Sequence, residues 1–245
     1  MIEQSVVIPT PDGSTEGTLF IPGTNKRDPG VLYFVDIAGV RPANLSMAGR
    51  LAEQGYAVLI PNLFYRTSKL PVFDFPLQFG DDRTTKRLAE LSAPLTPDAM
   101  ERDASAYVDF LSANGAGPGA MGVVGFCFSG SMAMRAAAAR PDRIAAVASF
   151  HGGRLCTDQP TSPHRELPRI KARLYFGHAV DDKSMPANQI SRFDEALKAW
   201  GGRYESETYE GALHGWTVPG GHVYNHPQAE RAFEKLTQLL AETLK

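Results

Sequence analysis

From residue 31 onward, short and wholly apolar runs alternate with stretches of helical periodicity, and this alternation leaves the chain few architectures. Val31-Leu32-Tyr33-Phe34-Val35 has no polar face, as expected of a strand covered on both sides in a parallel sheet. After it, Leu45, Ala48, Leu51 and Ala52 share one helical face within residues 42–54, and Gly55 supplies the stop. Ala57 to Ile60 reads as the next buried strand. Further strands are expected at Met121 to Val124, Ile144 to Phe150, Arg173 to Gly177 and Tyr204 to Tyr209. Helices are expected from Pro97, behind the cap Thr96, then over Ser129 to Ala139, over Pro186 to Trp200 with Ser184 as cap, and over Pro227 to Leu244. Before all of these, Ser5 to Ile8 and Ser14 to Phe20 flank the turn Pro11-Asp12-Gly13 and predict an antiparallel hairpin. The pattern is that of an α/β protein with a mostly parallel central sheet, and residues 1–245 are expected to form a single domain.

Composition agrees with one large core and excludes several functional classes. The chain has 245 residues, 43% of them hydrophobic, which suffices for a core without disulfides. Twenty-five Lys and Arg balance 27 Asp and Glu with no long block of either sign, so no field for nucleic acid is expected. No uncharged apolar run approaches the roughly 18 residues needed to span a bilayer, and the expected location is cytoplasmic. Cys127 and Cys156 are the only cysteines, so each thiol has to be judged singly.

In parallel α/β sheets, ligands bind beyond the carboxyl ends of the strands. Gly125-Phe126-Cys127-Phe128-Ser129-Gly130 stands between an expected strand and an expected helix. A turn this tight requires small residues two before and two after its tip, which Gly125 and Ser129 are, and it presents Cys127 as a nucleophile at a helix amino end, where the dipole favours an anion. Such an elbow predicts a carboxylate and then a histidine further along the chain. Asp181-Asp182 follows one strand, and His214 follows the last one in Gly211-Ala212-Leu213-His214-Gly215. The histidine would carry the thiol proton to the leaving group, and the carboxylate would fix the imidazole tautomer. His222 and His226, four residues apart in a Gly/Pro-rich segment, do not suggest a metal site, and none is expected elsewhere.

On these motifs the chain resembles the dienelactone hydrolase family of the α/β-hydrolase fold over nearly its full length. The matches are the elbow at 125–130, the acid segment from Gly177 to Pro186, and Gly211 to Gly215. The resemblance implies a mostly parallel sheet with an N-terminal hairpin and helices on both faces, a Cys127-Asp182-His214 triad, and hydrolysis of a small ester or lactone through an acyl-enzyme. Asp182 is taken as the acid because the family's acid stands four residues before a proline, here Pro186; Asp181 is the alternative. Asp36-Ile37-Ala38-Gly39-Val40 resembles the family segment in which an acidic residue touches the thiol and the next N–H helps form the oxyanion hole. That implies Asp36 as the thiol-contacting acid, with Ile37 and Phe128 as the N–H donors. Two departures stand out: the family's acid at the position of Asp36 is glutamate, and no arginine follows His214 where the dienelactone-cleaving members use one to hold a substrate carboxylate.

Tyr65, Arg66, His151, Arg154, His178 and Trp216 lie near strand ends and are the candidates for pocket lining. The expected partner is a small-molecule ester or lactone, with no nucleic acid, membrane, metal or organic cofactor, and the expected assembly is a monomer or homodimer. Sulfur as nucleophile favours enol and aryl esters, whose leaving groups compete with a thiolate. The rival readings are a binding protein on a hydrolase scaffold and a redox-sensing thiol protein.

Overall fold

The computed structural model describes residues 1–23 and 28–244. An eight-stranded sheet crosses the molecule in the order β1-β2-β4-β3-β5-β6-β7-β8. β1 (Ile2–Thr10) and β2 (Gly13–Ile21) form the expected hairpin, and β2 is also antiparallel to β4 (Ala57–Pro61). The remaining pairs, through β3 (Gly30–Phe34), β5 (Met121–Phe126), β6 (Ile144–Phe150), β7 (Arg173–Ala179) and β8 (Tyr204–Tyr209), are parallel.

Every residue of β3, β4 and β5 is buried, which is why these strands read as unbroken apolar runs. Helices cover both faces. α1 (Pro42–Glu53) and α6 (His226–Leu244) lie together on one, joined by the Arg50–Glu230 ion pair and by Arg50 over the Phe233 ring. On the other, α3 (Pro97–Asn114) packs on α4 (Ser129–Ala139), and a 3-10 helix (Pro163–Arg169) links α4 to α5 (Ala187–Trp200). Thr96 caps α3 as expected, its side chain accepting the Ala99 N–H. Ser184 does not cap α5. The N-cap position is Pro186, two residues beyond Ser184, and it has no side-chain cap; the Ser184 hydroxyl instead donates to Asp182 Oδ1 at 2.7 Å.

Two elements had no apolar signature in the sequence. α2 (Asp82–Ser92) buries only Thr84 and Leu91, and it is fixed by Asp81, whose carboxylate accepts the Thr84 N–H. The 3-10 helix contains Pro168 and buries two residues, Pro163 and Leu167. Among the described residues, no helix is long and apolar enough to cross a membrane.

Candidate active site

The carboxyl ends of β3, β5, β6, β7 and β8 lie side by side along the sheet, and the loops leaving them carry the candidate residues. The turn after β5 is as tight as its sequence implies. Cys127 stands at its tip with φ 59°, a left-handed conformation that a non-glycine residue adopts at a cost and that recurs at functional sites. A β-carbon on Gly125 would run into the carbonyl of Ser129, so glycine is required there. Ser129 Oγ accepts the Phe126 N–H at 2.8 Å and lies 2.9 Å from the carbonyl oxygens of Phe126 and Phe34, tying the turn to the end of β3. Two N–H groups, from Gly130 at 3.2 Å and Gly153 at 3.3 Å, hold the Cys127 carbonyl. The Cys127 thiol is partly exposed, whereas Cys156 is buried.

His214 and Asp182 come together from the loops after β8 and β7. Asp182 Oδ2 accepts a hydrogen bond from His214 Nδ1 at 2.6 Å, and Asp182 Oδ1 accepts the N–H and hydroxyl of Ser184 at 2.8 and 2.7 Å. Burial pushes the Asp182 carboxyl up, but the bonds from His214 and Ser184 outweigh it and hold the group below the usual carboxylate range. Burial likewise pushes His214 down, yet Asp182 and the adjacent Cys127 side chain raise it to about 10. The imidazole thus lies between carboxylate and thiol. Asp181 is exposed, with φ 50°, and is turned away from this arrangement.

Asp36 does not make the expected contact with the thiol. Its Oδ1 accepts the Ala38 N–H at 2.9 Å and its Oδ2 pairs with Arg41. The shorter aspartate closes a turn on its own loop, completed by Gly39 N–H to the Asp36 carbonyl at 3.0 Å. Along that turn, the Ile37 N–H has no acceptor among the described residues, and neither has the Phe128 N–H after Cys127. Two free donors on the loops after β3 and β5 can take up a developing oxyanion.

Of the six candidates for pocket lining, five belong to the framework. Arg66 pairs with Asp12 at 2.6 Å and with the buried Asp103 at 2.7 Å, while the Tyr65 hydroxyl donates to Asp103 and accepts from Thr10, both at 2.9 Å. These contacts stitch the hairpin to α3. Trp216 is fully buried, stacked on Tyr209 with ring centroids 4.9 Å apart. His178 is buried against Phe193 of α5, bonded through Nε2 to Ser206 Oγ at 3.2 Å, and burial lowers it to about 4. His151 is buried beneath Cys127. Arg154 alone remains open: it is exposed, its guanidinium has no partner among the described residues, and it lines a groove with Phe128, Gly153, Met100 and Gln189.

Ser184, which the sequence suggests as a helix cap, belongs instead with Asp182 and His214. The Asp182-Lys183-Ser184 spacing, which suits an aspartate accepting the N–H two residues on, was the available signal.

A mostly parallel sheet with an antiparallel hairpin at one edge and helices on both faces, carrying a strained turn after β5 and an aspartate–histidine pair on the loops after β7 and β8, defines an α/β-hydrolase. Within that class the chain belongs to the dienelactone hydrolase family, whose sequence profile matches residues 15–244. Members of this family are hydrolases of carboxylic esters and lactones. A carboxymethylenebutenolidase of Rhodococcus opacus is 27% identical over 205 residues, covering 83% of this chain and 76% of that protein. A Synechocystis protein provisionally named a carboxymethylenebutenolidase is 25% identical over 243 residues, covering 98% and 96%. Among solved structures, a Klebsiella pneumoniae protein provisionally described as a dienelactone hydrolase superposes with a TM-score of 0.87 at 19% identity, over 98% of both chains.

Proposed function

We propose that the protein is a cysteine-dependent hydrolase of small, activated esters or lactones, working through an acyl-thioester. The observation that carries this reading is the Cys127 thiol at the tip of the strained turn, beside a His214 whose Nδ1 is held by Asp182 at 2.6 Å. His214 takes the thiol proton, and the Cys127 sulfur adds to the substrate carbonyl. The oxyanion forms against the N–H groups of Ile37 and Phe128. Collapse expels the leaving-group oxygen, which receives the proton from His214, and leaves the acyl group on sulfur. Neutral His214 then takes a proton from water, the hydroxide adds to the thioester, and collapse releases the acid and the thiolate. Thiol, imidazole and carboxylate supply every proton and bond this cycle needs, so no metal or organic cofactor enters it. A nucleophile that must remain a free thiol suits the reducing cytoplasm.

Sulfur also selects the substrate. The tetrahedral intermediate can expel thiolate or oxygen, and thiolate is the better leaving group unless the oxygen departs as a stabilised enolate or phenolate. Enol lactones and aryl esters should therefore go forward, and simple alkyl esters should return to substrate. The test is kcat/KM for an aryl and an ethyl ester of one short acid, with and without iodoacetamide. We expect the aryl ester to be cleaved far faster and all activity to disappear on alkylation. Equal rates for the two esters contradict the leaving-group argument; activity that survives alkylation of Cys127 contradicts the thiol mechanism.

A further inference from the structure

His151 is buried and bonded on both ring nitrogens beside Cys127, and the proposed cycle does not use it. It follows β6, is 1% exposed, and holds a left-handed backbone at φ 42°, with its N–H donated to the Gly177 carbonyl at 2.7 Å. Its Nδ1 lies 3.1 Å from the Cys127 nitrogen and accepts that N–H, which it shares with the Phe150 carbonyl. A ring nitrogen that accepts carries no proton, so the proton of the neutral ring sits on Nε2. Nε2 lies 2.8 Å from Thr217 Oγ1 and donates to it. The ring also meets His214 and Trp216 edge-on, with centroids 5.1 Å away in each case.

Thr217 is three residues beyond His214 on the same loop. One imidazole therefore joins the backbone of the nucleophile, after β5, to the loop of the base, after β8. These loops leave strands separated in the sheet by β6 and β7, and His151 bridges them from β6. We propose that His151, as a neutral Nε2–H imidazole, is a positioning residue that sets the separation of the Cys127 thiol from His214 by linking the Cys127 N–H to Thr217. The inference rests on the reading of Cys127 and His214 as nucleophile and base. Burial, and then the neighbouring His214 cation, keep the His151 ring uncharged well below its ordinary range, so the acceptor at Nδ1 persists through the pH range of catalysis.

A double-substitution cycle tests the link. His151→Asn keeps an acceptor near Nδ1, tolerates the left-handed backbone, and is too short to reach Thr217. Thr217→Val removes the other end of the bridge with little change of shape. Each variant should lower kcat roughly 10- to 100-fold, with KM within about two-fold, because a small displacement of reacting groups costs rate rather than binding. Each should also shift the pH dependence of Cys127 alkylation, which reports thiol–imidazole coupling and which a purely structural role would leave alone. In the His151→Asn background, Thr217→Val should cost nothing further. Full additivity of the two losses, unchanged kcat in either folded variant, or an unmoved alkylation profile overturns the proposal. Failure of the reading beneath it is distinguishable, since Cys127→Ala would then hydrolyse aryl esters as fast as the unmodified enzyme.

Discussion

The Asp182 carboxylate sits 2.6 Å from His214 Nδ1 and is 6% exposed, whereas Asp181, its neighbour in the chain, faces solvent. Residue 181 takes a left-handed turn, and that turn directs the second aspartate inward. Asp182→Asn should therefore keep the fold, present His214 in the wrong tautomer, and reduce turnover by about 10³- to 10⁴-fold. Asp181→Asn should leave kcat within about two-fold, as is usual for an exposed polar substitution. Steady-state kinetics on an aryl ester measure both, and a larger loss at Asp181 would reverse the assignment.

The two cysteines should behave differently. Cys127→Ala removes the proposed nucleophile and should abolish hydrolysis while thermal unfolding stays near that of the unmodified chain. Cys156 is 2% exposed within the core, where burial pushes its thiol up, so Cys156→Ala should retain activity and resist any claim of a resolving thiol. Intact-mass measurement after a short pulse of aryl ester should find the acyl group on Cys127 alone.

Stability should decline as pH rises from neutral into the alkaline range, whereas catalysis should persist until His214 loses its proton. His214 is raised to about 10 in the folded protein, against an ordinary value of about 6.5. Its folded pKa lies above its unfolded one, so the stabilisation from its pairing is fully present below about pH 6.5 and is lost as pH rises through about 10. In the proposed cycle the His214 imidazolium delivers the leaving-group proton, so activity should follow the same window. A profile of kcat/KM should hold through neutral pH and fall near pH 10, and the residual activity of Asp182→Asn should fall at lower pH. A limb near 6.5 in the unmodified enzyme, or one that Asp182→Asn does not move, would contradict this.

Arg66 and Arg154 both follow strands, and the structure separates them. Arg66→Met leaves Asp103, 1% exposed, without its cation and should cost about 3–5 kcal/mol of stability with little change in KM. Arg154→Ala removes a cation without a partner among the described residues from the groove beside Phe128 and should raise KM for esters bearing an anionic group while leaving stability alone. Denaturant unfolding and KM for a matched anionic and neutral ester distinguish the two; a uniform KM change at Arg154 would deny it any part in selecting charge.

The order and type of the main elements, and the tight turn at Cys127, were legible in the sequence because each depends on neighbours in the chain. Apolar runs mark strands covered on both faces, and Gly125 and Ser129 are small because the turn between them leaves no room. α2 and the 3-10 helix escaped because they bury too little to leave a periodic trace. What the tertiary structure decided is which polar groups meet. Asp36 is drawn to Arg41 on its own loop, Arg66 reaches Asp103 across 37 residues, and His151 meets both Cys127 and Thr217 from a third strand. Such pairings depend on strand order and on which carboxylates and rings are buried together, and neither is written into the spacing of residues along the chain.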